Sequence, residues 1–246
     1  MRFMVDLHSH TVASDHAYST IHDYIRQAVS TGIQMFACTD HGPTLDDSPH
    51  RWHFTNLRMV PHVVDNVAIL RGIEANIMDN GDIDAENWVI DGLDIVLAGF
   101  HNIEPRDRDY NTELMKSVIR SGRVDIITHP GNNRYPINAE DFLLCAKEHS
   151  VAVEINSSSA VYARLDSHEN CVEIIKLAKK IGNIISLGSD AHIAFLLGNF
   201  DQSVRVLEDA GMSYEQVLNT APLKVLDFLN MRGHRTLDDL YRHFTR

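Results

Sequence analysis

The stretch Phe3-Met4-Val5-Asp6-Leu7-His8-Ser9-His10 decides the fold. A short apolar run ends in His-x-His within ten residues of the first methionine. In extended chain, residues i and i+2 point to one face, so His8 and His10 project together and Asp6 shares their parity. The pattern then returns. Thr39-Asp40-His41, Gly72-Ile73-Glu74, Gly99-Phe100-His101, Thr128-His129-Pro130 and Ser189-Asp190-Ala191-His192 each close an apolar run, and His16 follows His10 by six positions. Metal-ligand residue types recurring at strand ends are expected where parallel strands converge on one rim of a barrel.

Between these points, strand and helix patterns alternate. Strands are expected over 3–8, 33–40, 67–74, 94–100, 124–128, 151–155 and 184–187. Helices are expected over 20–30 (capped by Ser19 or Thr20 and stopped by Gly32), 111–121, 138–148 and 167–180. After His192 the chain reads as helical over 201–210, 213–219, 222–232, with Pro222 in a first turn, and 236–244. Residues 42–62 and 76–92 read as irregular excursions, the first with one helical stretch. Near-continuous apolar strands favour a parallel sheet covered on both faces. The expected fold is α/β, a distorted (βα)7 TIM-like barrel with C-terminal helices, in one domain over 1–246. An open doubly wound sheet is the alternative.

Composition narrows the function classes. The 246 residues are 44% hydrophobic and 23% charged, ordinary for a globular chain with a large core. No apolar run reaches the ~18–20 residues of a membrane helix, and no signal peptide is visible, so the chain reads as cytoplasmic. The net charge of -12 carries no basic stripe, which argues against nucleic acid and anionic membranes. Cys38, Cys145 and Cys171 lack CxxC spacing and read as reduced thiols. Histidine is the outlier, with 15 copies.

Each candidate has an ordinary reading beside a functional one. A lone strand-end His is commonly a satisfied core residue, and Glu74 could be paired with an Arg. Together, nine ligands exceed what one cation uses, since zinc takes about four. Two or three cations are implied if all nine converge. Histidine dominance favours zinc, iron or manganese over magnesium. Three divalent ions less two carboxylates leave a pocket of about +4, which suits a dianionic phosphate ester. No phosphate-binding GxxxxGK[ST] loop, GxGxxG or GxSxG turn is present. Ser157-Ser158-Ser159 reads as loop or as substrate contacts.

The motifs DLHSHT, ASDHAYST, TDHG, GIEAN, AGFH, ITHPGN, EINSSS and GSDAH, spread over 1–192, resemble the PHP (polymerase and histidinol phosphatase) superfamily. The likeness extends to its small stand-alone YcdX-like phosphatases, including Pro49-His50-Arg51-Trp52-His53-Phe54. The resemblance implies a distorted (βα)7 barrel with a trinuclear metal centre. His8, His10, Glu74 and Asp190 would hold the first metal, and His16, His41 and His192 the second. Glu74, His101 and His129 would hold the third.

The chemistry expected is phosphomonoester hydrolysis by a metal-activated hydroxide, with zinc, or else manganese or iron, at three per chain. Asp6 and Asp40 are candidates for orienting ligand imidazoles, or for plain strand-end and cap hydrogen bonds. Arg51, Arg71 and Arg134 are candidate phosphate clamps, with surface salt bridges as the ordinary reading. Trp52 and Phe54 are candidates to wall the pocket from a mobile loop, with core packing the favoured reading. The partner expected is a small phosphorylated substrate; an oligomer stays open, as do three rival functions. An amidohydrolase would bridge its metals from the fourth strand, which here ends in Phe100-His101. A PHP-type exonuclease fits poorly with the acidic balance. A non-catalytic metal-binding regulator would bind metal without turnover.

Overall fold

The computed structural model describes residues 3–160, 164, 166–234 and 237–245. Among them, one sheet holds β1 (Val5–Asp6), β2 (Met35–Cys38), β3 (Val63–Val64), β4 (Val67–Asn76), β5 (Ile95–Gly99), β6 (Ile126–Ile127), β7 (Ala152–Asn156) and β8 (Ile185–Gly188). The order is β1-β2-β4-β5-β6-β7-β8, all parallel, and β3 pairs antiparallel with β4. The seven parallel strands are those expected from the sequence. The β3 hairpin is an addition. Its turn residues Asp65 and Asn66 sit at φ 51 and 63, and Asp and Asn tolerate that region well.

Two devices bring the sheet edges together as a nearly closed barrel. Beyond the ends of β1 and β8, Ser9 pairs with Ala191, with His10 N–H donating to Ala191 O at 2.9 Å and Asp190 N–H to His8 O at 3.0 Å. Lower in the seam, the buried Asn219 side chain takes the place of a strand. Its Nδ2 donates to the carbonyls of Val5 and Leu187, both at 2.8 Å, and its Oδ1 accepts Leu187 N–H at 2.7 Å.

Helices α1 (Ile21–Thr31), α2 (Arg51–Asn56), α3 (Asn87–Ile90), α4 (Arg108–Arg120), α5 (Ala139–Glu148), α6 (His168–Ile181), α7 (Asp201–Asp209), α8 (Pro222–Met231) and α9 (Asp238–Phe244) complete the fold. Local chemistry sets their ends. Thr20 and Asp23 form a reciprocal capping box on α1, and Gly32 ends it at φ 75. α4 starts earlier than expected because Asp107 accepts Tyr110 N–H and caps it. Residues 213–219 are two 3-10 turns rather than one helix, because Val217 runs beside Ile185 as a bridge. In the expected 236–244 helix, position 236 lies outside the described residues.

The barrel interior is layered. Val5, Met35, Ala68, Ile95, Ile126 and Ala152 form its floor, closed off by Leu226, Leu229 and Leu240 of α8 and α9. The C-terminal helices therefore seal the N-terminal end of the barrel. Burying these side chains supplies the driving force, at about 25 cal/mol per Å². The opposite mouth is left for polar residues.

Candidate metal centre

Alternation along each strand carries the interior from apolar floor to polar rim. On β4, Ala68 and Leu70 face the floor cluster, and Glu74 has the same parity. On β2, Met35 and Ala37 lead in the same way to His41 just past the strand. β1 departs from this rule. Val5 and Leu7 both lie in the interior cluster, so Asp6 faces outward, and the alternation is reset before His8. The expectation that Asp6 shares a face with His8 and His10 is therefore corrected.

The nine expected side chains come together at the mouth. His8 Nε2 lies 3.0 Å from His10 Nε2, 3.3 Å from Glu74 Oε2 and 3.5 Å from Asp190 Oδ1. His10 Nε2 lies 3.5 Å from Glu74 Oε2 and 3.1 Å from Asp190 Oδ1. Four donor atoms thus edge one small cage. A second group joins His16 Nε2 to His41 Nε2 at 3.3 Å and to His192 Nε2 at 2.9 Å. In the third, Glu74 Oε1 faces His129 Nε2 at 2.8 Å and His101 Nε2 at 3.3 Å. Glu74 divides its two oxygens between the first and third groups. His41 stands between groups, with Nδ1 3.1 Å from Glu74 Oε2.

These residues fit divalent cations on three grounds. Ligands about 2.0–2.2 Å from a tetrahedral zinc lie about 3.3–3.6 Å from one another, close to the spacing seen around His8. Among the described residues, Glu74 Oε2 is buried within reach of three imidazoles yet makes no well-formed hydrogen bond with any, and neither buried ring nitrogen of His101 makes one, although Nε2 lies 3.3 Å from Glu74 Oε1. Lone pairs aimed at a common point rather than at each other's protons give that pattern. Third, both carboxylates and the imidazoles of His10, His129 and His192 are shifted toward the forms that ligate. Burial opposes charge on Glu74 and Asp190, yet His8 holds both well below the usual carboxylate range. Burial and the neighbouring His41 push His10 well down, and burial with the Arg164 charge brings His129 to about 4. His8 is drawn well upward and His41 upward: burial is outweighed at His8 by Glu74, Glu154 and Asp190, and at His41 by its contact with Glu74 and by Asp190. Ionised carboxylates and neutral imidazoles are the forms that bind cations.

Three histidines have Nδ1 tied down, which leaves Nε2 for the site. Glu154 Oε1 meets His8 Nδ1 at 2.6 Å, Asp47 meets His16 Nδ1, and the Asp190 carbonyl lies 2.9 Å from His192 Nδ1. Sequence reasoning missed Glu154 and Asp47. Glu154 carried a signal, since it shares parity with Ala152 on β7; Asp47 sits on a loop and carried none. Asp6 and Asp40 touch no candidate ligand ring. Asp6 accepts N–H groups of His8, Ser189 and Gly198. Asp40 accepts from Thr11 and Ser14 and meets His53 Nε2 at 3.0 Å, so it holds the loop that carries His16.

A cavity of about 770 Å³ opens over the cluster, lined by Asp46, Asp47, Asn102, Asn133, Arg134, Tyr135 and Arg164 among others. Arg134 thus stands on its wall. Arg51 does not: it pairs with Glu86 at 2.8 Å on the surface, linking the two excursions. Arg71 donates to the Val60 carbonyl. Arg164, not singled out from the sequence, is mostly buried and donates to Asp190 Oδ2 at 3.2 Å. Ser158 lines the cavity, while Ser157 bonds Ser203. Phe54 is buried as expected, but Trp52 is 72% exposed, a correction to its expected core role.

The PHP-domain family profile matches residues 6–221. The chain belongs to the PHP family. Two bacterial relatives match over nearly their full lengths. A protein of Shewanella oneidensis named "Probable phosphatase" is 50% identical over 247 residues, covering 99% of this chain and 98% of that one. One of Edwardsiella ictaluri with the same description is 49% identical over 240 residues, covering 96% and 98%. Among solved structures, the histidinol phosphate phosphatase of Lactococcus lactis, complexed with zinc, L-histidinol and phosphate, superposes at TM-score 0.63. It covers 87% of this chain and 95% of its own at 17% identity, a likeness of fold. This PHP chain thus shares its barrel with an enzyme whose crystals hold zinc.

Proposed function

We propose that this PHP-family phosphatase hydrolyses small phosphomonoesters with three divalent cations, zinc first and manganese or iron as alternatives. The observation that carries the reading is the division of Glu74 between two groups of imidazoles. His8, His10, Glu74 and Asp190 would hold one cation, His16, His41 and His192 a second, and Glu74, His101 and His129 a third. Bound there, the cations would acidify a water near neutral pH and neutralise the phosphoryl oxygens. The chain's own residues do the rest. Arg134 on the cavity wall supplies a planar fork matched to phosphate oxygens. Arg164 orients Asp190 through its Oδ2 and adds to the pull of His8 and His10 that keeps it ionised. The cavity is large enough for a leaving group of metabolite size, and Asp46 and Asp47 on its rim disfavour a polyanion such as nucleic acid.

Elemental analysis of purified protein, paired with phosphate release from an aryl phosphate and a metabolite panel, tests the proposal. Wild type should carry about three divalent ions by the ligand tally, each site taking three or four donors. Glu74→Gln should lose the two ions that share Glu74 and slow turnover at least ~10²-fold, the size expected for removing one charge-stabilising group. Wild-type turnover in a Glu74→Gln protein stripped of metal would refute the mechanism.

A further inference from the structure

Every parallel strand but one brings a candidate cation ligand to the barrel mouth. β7 brings none, yet it ends in two buried polar side chains, Glu154 and Asn156, both facing inward. Burying a carboxylate is costly unless its oxygens are well bonded. Glu154 is fully used. Its Oε1 meets His8 Nδ1 at 2.6 Å, while its Oε2 accepts the backbone N–H of His129 at 2.9 Å and Asn156 Nδ2 at 3.1 Å. Asn156 Nδ2 also reaches Asp190 Oδ2 at 3.2 Å. The space for this carboxylate is made by Gly188, where a Cβ would overlap Glu154 Oε1.

We infer that Glu154 is a positioning residue that couples two of the cation sites, fixing His8 for one and His129 for the other, so that both lose affinity together when it is altered. The inference rests on the reading of the nine side chains as cation ligands. It follows from how the two oxygens are committed. The Oε1 contact fixes the His8 proton on Nδ1 and turns Nε2 toward the cage. The Oε2 contact holds His129 at a backbone φ of 35, a region that a non-glycine residue occupies only when its surroundings enforce it. His16 and His192 touch neither oxygen, so the site they share with His41 is independent of Glu154.

Glutamine is the discriminating substitution because it cannot serve both partners. With its oxygen toward His8, its amide would meet the N–H of His129 and the amide of Asn156, donor against donor. Flipped, it would meet the Nδ1 proton of His8 the same way. Cation content and affinity should be read by chelator competition with Zn2+, and independently by the visible absorption of Co2+-loaded protein. Wild type is expected to hold three ions. In Glu154→Gln, two should weaken together by about 10- to 100-fold while the third keeps its wild-type affinity, which also reports a folded protein. Asn156→Ala, which frees Glu154 Oε2 of one partner but leaves the carboxylate, should weaken the same two ions to a lesser degree. Equal weakening of all three ions, weakening of one alone, or no change in Glu154→Gln would overturn the coupling. A wild-type protein that binds no divalent ion would overturn the cation reading itself.

Discussion

Asn219→Ala should be among the most damaging single changes outside the candidate metal centre. The side chain is fully buried in the seam between β1 and β8 and makes three hydrogen bonds of 2.7–2.8 Å. Alanine removes all three and strands the Leu187 N–H and the carbonyls of Val5 and Leu187 in a dry seam. Each buried orphan costs about 1–3 kcal/mol, with the donor at the upper end because a carbonyl keeps a second lone pair. The sum is about 3–5 kcal/mol, against a total stability of about 5–15 kcal/mol for a domain. At about 2–4 °C per kcal/mol for a chain of this size, the midpoint of thermal unfolding should fall by roughly 6–20 °C. Asn219→Asp keeps the acceptor for Leu187 but sets a charge against two carbonyls, so it should do no better than alanine. Circular dichroism melts at fixed metal and protein concentration measure both. The site should suffer too, because His8 and Asp190 lie three residues beyond Val5 and Leu187 on the joined strands. A fall below about 3 °C for Asn219→Ala would refute the idea that this amide stands in for a strand pairing.

Two further outcomes follow from contacts at the mouth and the floor. Arg134→Ala should raise KM for phosphate esters severalfold with a smaller change in kcat, whereas Arg51→Ala, which breaks an exposed pair with Glu86, should leave both within about twofold; steady-state kinetics on one aryl phosphate compare them. His62 ties the barrel floor to α9: Nε2 meets Asp94 at 3.0 Å and Nδ1 meets Asp239 at 2.6 Å, and the Asp94 bond raises its pKa. A raised imidazole contributes stability fully below its ordinary value, near 6.5, and loses it as pH rises through the raised value. Urea titrations of wild type and His62→Gln should therefore differ most below about pH 6.5 and draw together as pH rises through the raised value; a gap that widens with pH would contradict this.

Eight of the nine converging positions were legible because each is a local event, whereas His16 lies on a loop and was reached only through the family resemblance. An apolar run, its end, and the residue type at that end are written in consecutive residues, and a parallel barrel collects such ends on one rim. What was not legible depended on where a chain crosses another element. Asp47 meets His16 because a loop returns over the mouth, and Arg51 meets Glu86 because two excursions touch. Trp52 is exposed because α2 is six residues long and buries only Phe54. The parity of Asp6 failed because the strand is regular for only two residues before the chain turns into the seam. Glu154 follows the same alternation that places Glu74, but β7 ends in no histidine and so lacks the residue type that marks the other strand ends.

Two of the candidate ligands, His129 and Asp190, are non-glycine residues held at φ 35 and 54. Such conformations cost about 1–3 kcal/mol each and persist only where the surroundings over-determine them. Neighbouring contacts at the end of β7 and across the β1–β8 seam do so. Glu154 fixes the His129 N–H, the His8 carbonyl fixes the Asp190 N–H across the seam, and Asn156 reaches the Asp190 carboxylate. Each strained residue is thus anchored on one or both sides of β7 and the β1–β8 junction, where the barrel is least regular. A sheet closed by uniform strand pairing would have no need of Asn219. The imperfect closure and the ligand geometry are therefore one structural feature: strain at the rim is tolerated because a short backbone bridge and buried polar side chains together finish the barrel there.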